Sequence, residues 1–310
     1  MTPEEQPPCF IILGRYGDII QLLPAFQAVW DRTGLKPIVL TSTEYQTVLE
    51  GVSYVQPRAV HWNWWEGVPA ARQLAAEQFG GGIVCQWWAD EPFKWQKQAY
   101  AQLLGDCSVV LQSHGREWGV DIGVVPNYGT SMWTRAGFTP EEMKGLPLVF
   151  DRRDAHREAL LVRHNTHPNP AMRRPMLLVN FSGVSSPFAP VPEVMRVVDE
   201  FKGRFNVVDL GKVRAQRIYD LLGLMDAAVG MITTDTATLH LAATGNIDYV
   251  GYTVDGWTSS VPKGRCVVEI KYSQALDRLG ELRPVLNKWS NAEQPRQEVG
   301  AGGGGGVMQV

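Results

Sequence analysis

The sequence contains no long hydrophobic run, no cluster of cysteines and no block of basic residues, and each absence excludes a class of protein. No apolar stretch approaches the ~20 residues that a membrane-spanning helix needs. The four cysteines lack Cys-x-x-Cys spacing, so we expect reduced thiols in apolar surroundings. A net charge of −3 without a basic tract gives no strong nucleic-acid signal. The composition predicts a cytoplasmic globular protein and leaves peripheral contact with a membrane open.

Two ligand-binding motifs are also missing. The Gly-x-Gly-x-x-Gly fingerprint of dinucleotide-binding proteins does not follow the first predicted strand. No Asp-x-Asp pair is present to hold a divalent cation against a diphosphate. His164 and His167 are spaced like metal ligands, but no cysteine or carboxylate cluster accompanies them. The sequence therefore predicts neither a metal site nor a cofactor.

The hydrophobic pattern alternates short strand-like runs with amphipathic helical segments, and it does so in two halves of the chain. The strand-like runs lie at 10–13, 37–40, 52–60, 83–87, 176–179, 206–210, 228–232 and 249–252. The helical segments include one that ends near Trp30, one that opens at Thr43-x-x-Gln46, and those at 70–78, 192–201 and 216–225. Such alternation favours parallel sheets covered by helices. The predicted fold class is α/β, with two Rossmann-like domains that face a central cleft.

Composition along the chain sets the predicted domain boundaries. The segment 151–174 is rich in charge, His, Asn and Pro, which is typical of a linker. The last residues include five consecutive glycines and few apolar side chains, which predicts a disordered tail. The predicted units are an N-terminal extension (1–8), a first Rossmann-like domain (9–150), the linker (151–174), a second Rossmann-like domain (175–272), a helical segment (273–292) and the tail (293–310).

A polar cluster at 234–243, TDTATLHLAA, follows the apolar run at 228–232. It is typical of a strand, a hydroxyl-rich turn and a helix start, where backbone N–H groups attract anions. Thr234 or Asp235 is the expected N-cap, Thr236 adds a hydroxyl, and His240 lies one turn further on the same helix face. The alternative is a capped, buried helix whose histidine belongs to the core.

A second cluster follows the first predicted strand, where the segment 14–26 reads GRYGDIIQLLPAF. Two glycines permit a tight turn, and Asp18 emerges at the start of the next helix. This turn places a carboxylate at the strand-end crevice in which open α/β sheets bind ligands. The alternative is that Asp18 is only a helix cap on a surface turn.

The two clusters together resemble motifs of the family 9 glycosyltransferases, the ADP-heptose:lipopolysaccharide heptosyltransferase group. The resemblance rests on Gly-x-x-Gly-Asp followed by Pro-Ala in 14–26, and on Asp-Thr-x-x-x-His-Leu-Ala-Ala in 235–243, and it spans residues 9–290. It implies the GT-B architecture and an inverting, metal-independent transfer. It also implies that the first domain takes the acceptor and the second takes a nucleotide-sugar, with an ADP-sugar as the favoured donor.

The resemblance assigns roles to individual positions. Asp18 falls on the catalytic base, and four residues of the second motif fall on the donor-binding loop. Arg15 and Gly17 share the turn of Asp18, and Thr234 precedes the donor loop. The predicted donor-binding residues are Arg15, Gly17, Ser182, Ser185, Ser186, Lys212, Thr234, Asp235, Thr236, Ala237 and His240.

The chain departs from the family pattern at three places. Ala237 stands where the family has a glycine, which alters the closest backbone approach to a phosphate. The loop 180–188, NFSGVSSPF, lacks the phosphate-binding lysine, and its serines offer hydrogen bonds without charge. The segment 211–214, GKVR, replaces a Gly-Gly-x-x-Glu stretch, and Lys212 or Arg214 is a candidate for the missing charge.

The predicted function is the transfer of a sugar, with heptose as one candidate, from a nucleotide-sugar to an acceptor hydroxyl with inversion. The acceptor stays open among lipopolysaccharide or another glycan, a modified DNA base, a protein and a small metabolite. Two alternatives belong to other classes. One is a catalytically decayed protein that binds a nucleotide-sugar, and the other is a nucleotide-sugar epimerase or hydrolase of the same fold.

Overall fold

The computed structural model describes residues 7–13, 15–60, 73–74, 77–78, 83–87, 137–183, 187–255 and 264–292. Its first half contains a parallel sheet of four strands in the order β3-β2-β1-β4. The strands are β1 (Cys9–Leu13), β2 (Ile38–Ser42), β3 (Gln56–Val60) and β4 (Ile83–Trp87). The helices are α1 (Tyr16–Thr33) and α2 (Pro140–Gly145), with a 3-10 helix at Gln46–Gly51.

The second half contains a parallel sheet of five strands in the order β6-β5-β7-β8-β9. Its strands are β5 (Met176–Asn180), β6 (Asn206–Asp209), β7 (Gly230–Thr234), β8 (Tyr249–Thr253) and β9 (Cys266–Lys271). The helices are α3 (Ala155–His164), α4 (Val191–Asp199), α5 (Leu222–Ala227), α6 (Ala237–Leu241) and α7 (Leu282–Ser290). Short 3-10 helices lie at Pro170–Met172, Leu210–Lys212, Ile218–Leu221, Ala242–Thr244, Tyr272–Gln274 and Leu279–Glu281.

The central strands are buried along their whole length. Every residue of β2, β5, β7 and β8 is buried, and these strands read as continuous apolar runs with a few threonines rather than as alternating patterns. Such runs are expected where helices cover both faces of a parallel sheet. The prediction of an α/β fold with two parallel sheets is confirmed.

The strand order places a ligand crevice in each sheet. In the first sheet the order reverses beside β1, and in the second it reverses between β5 and β7. Open α/β sheets bind ligands beyond the carboxyl ends of the strands at such a switch point. Asp18 in the first turn of α1, Asn180 at the end of β5 and Thr234 at the end of β7 therefore lie at the positions where a ligand is expected.

The two halves share one hydrophobic core. The rings of Phe150 and Tyr219 stack with their centroids 5.5 Å apart. A Cβ atom added to Gly51 would lie 2.7 Å from the Phe150 ring and 2.9 Å from the Tyr219 ring. The 3-10 helix of the first half therefore packs closely against one ring just before the predicted linker and one ring of the second half.

Several predicted elements differ from the observed ones. The capping-box helix expected at Thr43 is a turn followed by a 3-10 helix at Gln46–Gly51. The helix expected at 216–225 is a 3-10 helix at Ile218–Leu221 that continues into α5. Both were expected from short local patterns, which packing can override.

The predicted linker contains a helix, α3, whose N-cap Asp154 accepts hydrogen bonds from the N–H groups of His156 and Arg157. Arg153 donates to Glu158 at 2.9 and 2.6 Å and to Asp226 at 2.5 Å, which ties α3 to α5. The segment 151–174 is therefore packed on the second half. The glycine-rich tail and most of the predicted helix at 70–78 lie outside the described residues.

Within the described part of the chain, no helix is both long enough and apolar enough to cross a membrane.

Candidate functional site

The two sequence motifs meet in the folded chain. Helix α1, which carries Gly17 and Asp18, contacts α6, which carries His240. A Cβ atom added to Gly17 would lie 2.9 Å from His240 Cδ2 and 3.8 Å from Ala237 Cα. The absence of a side chain at Gly17 therefore permits the close approach of the first turn of α1 to α6.

His240 bridges the two halves through its ring nitrogen. Its Nε2 lies 3.3 Å from Gln21 Nε2 of α1 and 3.8 Å from Asp235 Oδ1 of the turn before α6. The His240 and Asp235 side chains are only 12% and 13% exposed. The histidine thus lies at the contact between the two halves.

Asp18 is the third residue of α1, and its carboxylate is positioned by the backbone. Asp18 Oδ2 accepts a hydrogen bond of 2.8 Å from the N–H of Arg15, the N-cap residue. This geometry is that of a carboxylate that reaches back to the helix start, as in the capping alternative. The same bond holds the carboxylate at the start of α1, just beyond the carboxyl end of β1 and one residue after Gly17.

Arg15 is the N-cap residue of α1 and lies half-buried beside a pair of tyrosines. The rings of Tyr16 and Tyr45 pack edge to face with their centroids 5.0 Å apart. Burial and the neighbouring Glu44 raise the pKa of Tyr45 to about 12, and the charge of Arg15 acts in the opposite direction.

The threonine-rich turn differs from its prediction in detail. Thr234 ends β7 and pairs with Tyr252 in the sheet, so it is not a cap. Thr236 is the N-cap residue of α6, and its side chain makes no capping hydrogen bond. Helix α6 has only five residues before it tightens into the 3-10 helix Ala242–Thr244. Asp235 was predicted as a cap and instead lies in the turn near His240.

A network of hydroxyl and amide groups joins the ends of β5 and β7. Asn180 Nδ2 donates to Thr238 Oγ1 at 2.9 Å and to Thr236 Oγ1 at 3.3 Å. Asn180 Oδ1 accepts from the N–H and the hydroxyl of Ser182 at 3.1 and 2.6 Å. Ser182, a predicted donor-binding residue, is therefore linked to Thr236 through one buried asparagine.

Tyr272, just beyond β9, packs against the same turn. Its ring lies 4.9 Å from that of Phe188, centroid to centroid. Burial and the negative charge of Asp235 raise the pKa of the Tyr272 phenol to about 12, while hydrogen bonding to Thr234 and Asp235 acts the other way. The phenol therefore lies against the turn at Thr234 and Asp235.

Lys212 is the predicted donor-binding cation. Its ammonium lies 3.1 Å from Asp209 Oδ2, and its side chain is 85% exposed. Gly211 places the chain against Ser182, because an added Cβ atom would lie 2.9 Å from Ser182 Oγ. Lys212 is thus adjacent to the site through Gly211, but its side chain is extended into solvent and paired with a carboxylate.

Two further sequence predictions concern the absence of a metal site and the binding of the nucleotide-sugar by Ser185 and Ser186. No group of three or more His, Cys, Asp or Glu side chains among the described residues is arranged to hold a metal ion. His167 Nδ1 instead accepts a hydrogen bond of 3.1 Å from the N–H of Asn169. Ser185 and Ser186 lie outside the described residues.

Comparison with solved structures identifies the fold. A family 9 glycosyl transferase from Veillonella parvula DSM 2008 superimposes with a TM-score of 0.54 at 10% identity, covering 91% of this chain and 90% of that one. The E. coli ADP-heptose lps heptosyltransferase II superimposes with a TM-score of 0.57 at 12% identity, covering 91% and 98%. No protein-family model and no curated protein sequence matches the chain.

This chain therefore has the fold of the family 9 glycosyltransferase structures, and the two facing Rossmann-like halves of the predicted GT-B architecture are confirmed.

Several residues at the site had no sequence signal of their own. Gln21 lies within an ordinary amphipathic helix, and Asn180 ends a buried strand. Their roles depend on partners that are 219 and 58 residues away in the chain.

Proposed function

We propose that this protein is an inverting, metal-independent glycosyltransferase that moves a sugar from a nucleotide-sugar donor to an acceptor hydroxyl. The observation that carries the proposal is the contact between Gly17 and His240, which brings the Asp18 turn beside the Asp235 turn. An acceptor bound over the first sheet and a donor bound over the second would meet at this contact. The fold of the transferase structures described above supports the proposal.

In this proposal Asp18 is the general base. Direct inversion requires one carboxylate that accepts the proton of the acceptor hydroxyl while that oxygen attacks the anomeric carbon. The bond from the anomeric carbon to the nucleotide diphosphate breaks on the opposite face, and the electron pair leaves with the diphosphate. The hydrogen bond from the Arg15 N–H to Oδ2 orients the Asp18 carboxylate for this role.

The donor is held by the groups at the ends of β5 and β7. The Thr236 hydroxyl supplies a hydrogen bond to a diphosphate oxygen, and Arg15 supplies positive charge from the first half. Ser182 acts through Asn180, because its hydroxyl donates to the amide oxygen of that residue. Asp235 and His240 contact the transferred sugar at the junction of the halves. Hydrogen-bond donors and positive charge that are fixed in this way stabilise the charge that develops on the leaving group.

The favoured donor is an ADP-sugar, and heptose is the first sugar to test. The support is the E. coli structure of the same fold, whose name specifies ADP-heptose as donor and lipopolysaccharide as acceptor. The acceptor of this chain is proposed only as a hydroxyl group. This chain departs from the family pattern at Ala237 and in the loop 180–188, so the donor and the acceptor both need direct tests.

The test is a calorimetric and thermal-shift screen against ADP-, UDP-, GDP- and CMP-sugars, with magnesium or with EDTA. A ligand at 100 times its Kd stabilises the folded chain by about 2.7 kcal/mol, which is easily detected. We expect one nucleotide class to stabilise the protein equally in both buffers. Stabilisation only with magnesium contradicts metal independence, and no stabilisation by any donor contradicts the proposal.

His240→Ala provides a second test of the donor site. Because the ring bridges Gln21 and the Asp235 turn, we expect its loss to weaken nucleotide-sugar binding about tenfold, or about 1.4 kcal/mol. Gln21→Ala is the matched control, since it removes the bridge but keeps the ring beside Asp235. An unchanged dissociation constant in His240→Ala, together with a lowered Tm, would make His240 a structural residue.

A second candidate function is nucleotide-sugar binding without catalysis. The observation that favours it is the role of Asp18 in the capping geometry of α1, which a structural carboxylate would share. The uncharged loop 180–188 is consistent with it. Donor binding without turnover, either to a panel of glycan, nucleic-acid and small-molecule acceptors or to water, would favour this candidate over the transferase.

A further inference from the structure

The network at the ends of β5 and β7 contains more hydroxyl groups than those proposed to contact the nucleotide-sugar. Thr233 and Thr238 are 0% and 4% exposed, and Asn180 is 6% exposed. Buried hydroxyls are normally bonded to the backbone or to one another, and each has a single proton to donate. The direction of each hydrogen bond can therefore be worked out by counting protons.

The orientation of the Asn180 amide is fixed by its neighbours. The backbone N–H of Ser182 can only donate, so the atom 3.1 Å from it must be the amide oxygen. The amide nitrogen consequently faces the threonines and donates its two protons to Thr238 and Thr236. Neither threonine can donate to Asn180, and both must send their protons elsewhere.

The three threonine hydroxyls form a chain of short contacts. Thr238 Oγ1 lies 2.9 Å from Thr233 Oγ1 and 2.8 Å from Thr236 Oγ1. Thr233 Oγ1 also lies 3.1 Å from the carbonyl oxygen of Thr234, to which it can only donate. Thr233 Oγ1 and Thr236 Oγ1 are 3.5 Å apart, the longest of these contacts. Thr238 has one proton and two hydroxyl neighbours, so it donates either to Thr233 or to Thr236, and these two choices define an inward and an outward arrangement.

In the inward arrangement each proton points away from the crevice. Thr236 donates to Thr238, Thr238 donates to Thr233, and Thr233 donates to the Thr234 carbonyl. In the outward arrangement Thr233 donates to Thr238 and Thr238 donates to Thr236. The Thr236 proton is then directed to a ligand, and no heavy atom has to move.

We propose that Asn180, Thr233 and Thr238 are positioning residues that turn the Thr236 hydroxyl into a hydrogen-bond donor for an anionic oxygen of the bound diphosphate. This inference rests on the proposed function, because it assigns the anion to the donor. An anion at Thr236 selects the outward arrangement. Thr236 then accepts from both Asn180 and Thr238, and hydrogen bonds in such a chain polarise and strengthen one another.

The two buried threonines have opposite expected effects. Thr238→Val removes the donor behind Thr236, so anion binding should weaken. Thr233→Val removes the acceptor that stabilises the inward arrangement, which leaves the Thr238 proton available to Thr236. Both substitutions are nearly isosteric and remove one buried hydroxyl, so a purely structural role predicts a loss in both.

The experiment measures binding of inorganic pyrophosphate to the full chain by calorimetry, since the proposal concerns the diphosphate and not the base. We expect Thr238→Val to bind five- to tenfold more weakly, Thr233→Val to bind as tightly as the wild type or up to threefold more tightly, and Thr238→Ser to restore wild-type affinity. Melting temperatures of all variants establish that each is folded.

The outcomes separate this inference from the proposed function. Equal weakening in Thr238→Val and Thr233→Val, or no change in Thr238→Val, overturns the proton chain, as does a wild-type chain that does not bind pyrophosphate. If the wild type also binds a nucleotide-sugar and turns it over, the glycosyltransferase proposal survives that result. If no nucleotide-sugar binds, both proposals fail.

Discussion

Replacement of Asp18 by Asn is expected to reduce sugar transfer by about 10²-fold or more, because a positioned general base contributes 10²- to 10⁴-fold to such reactions. The amide oxygen of asparagine can still accept the hydrogen bond from the Arg15 N–H, so the start of α1 should keep its structure. The donor dissociation constant and the Tm should therefore remain close to those of the wild type. Steady-state kinetics with the donor identified by the binding screen measures the loss in kcat.

Asp18→Ala is the matched control for this substitution. It removes both the charge and the hydrogen-bond acceptor, so we expect it to lose transfer and also about 1 kcal/mol of stability. The pair separates catalysis from capping. Transfer by Asp18→Asn within a few-fold of the wild type would mean that the carboxylate only caps the helix and that the base has been assigned to the wrong residue.

Of the substitutions described here, replacement of Gly230 by Ala is expected to lower the free energy of unfolding the most. Gly230 begins β7, and an added Cβ atom would lie 2.4 to 2.5 Å from three atoms of the Trp289 indole. Trp289 is 2% exposed and packs in the core beneath the second sheet, so the ring has little room to move. We expect a loss of roughly 3 kcal/mol or more, as for severe overpacking of a core. The Tm should fall by roughly 6 °C or more.

Gly203→Ala is the control for Gly230→Ala, because no atom lies within 4 Å of the added Cβ. It should leave the Tm nearly unchanged. The double variant Gly230→Ala with Trp289→Phe should recover part of the loss, since the smaller ring relieves the contact. Thermal unfolding of Gly230→Ala within 1 °C of the wild type would show that the tryptophan is loosely packed.

The sequence predicts the strands well because their signal is local. Runs such as 176–179 are continuously apolar, and the structure places β5 at Met176–Asn180 with every residue buried. Helix boundaries were less accurate where the helix is short. Thr234 has a hydroxyl suited to a cap, but pairing with Tyr252 extends β7 through it, and this pairing depends on a strand that comes later in the chain.

The site was predictable to the extent that its residues share a motif. Asp18, Asp235 and His240 belong to two segments whose spacing resembles a family, and the structure brings these segments together. Asn180 and Gln21 belong to neither motif, and their roles follow from contacts between distant parts of the chain. Lys212 was selected for its charge, and its pairing with Asp209, only three residues earlier in the chain, was not considered.

The glycine at position 17 also limits how the two halves can be recombined. Its backbone lies against the His240 ring, and Gly51 lies equally close to the rings of Phe150 and Tyr219. A chimaera that takes its first half from one protein of this fold and its second half from another must match both contacts at once. One parent would have to supply small residues at 17 and 51, and the other would have to supply rings of the right size at 219 and 240. These four positions therefore limit which halves are compatible.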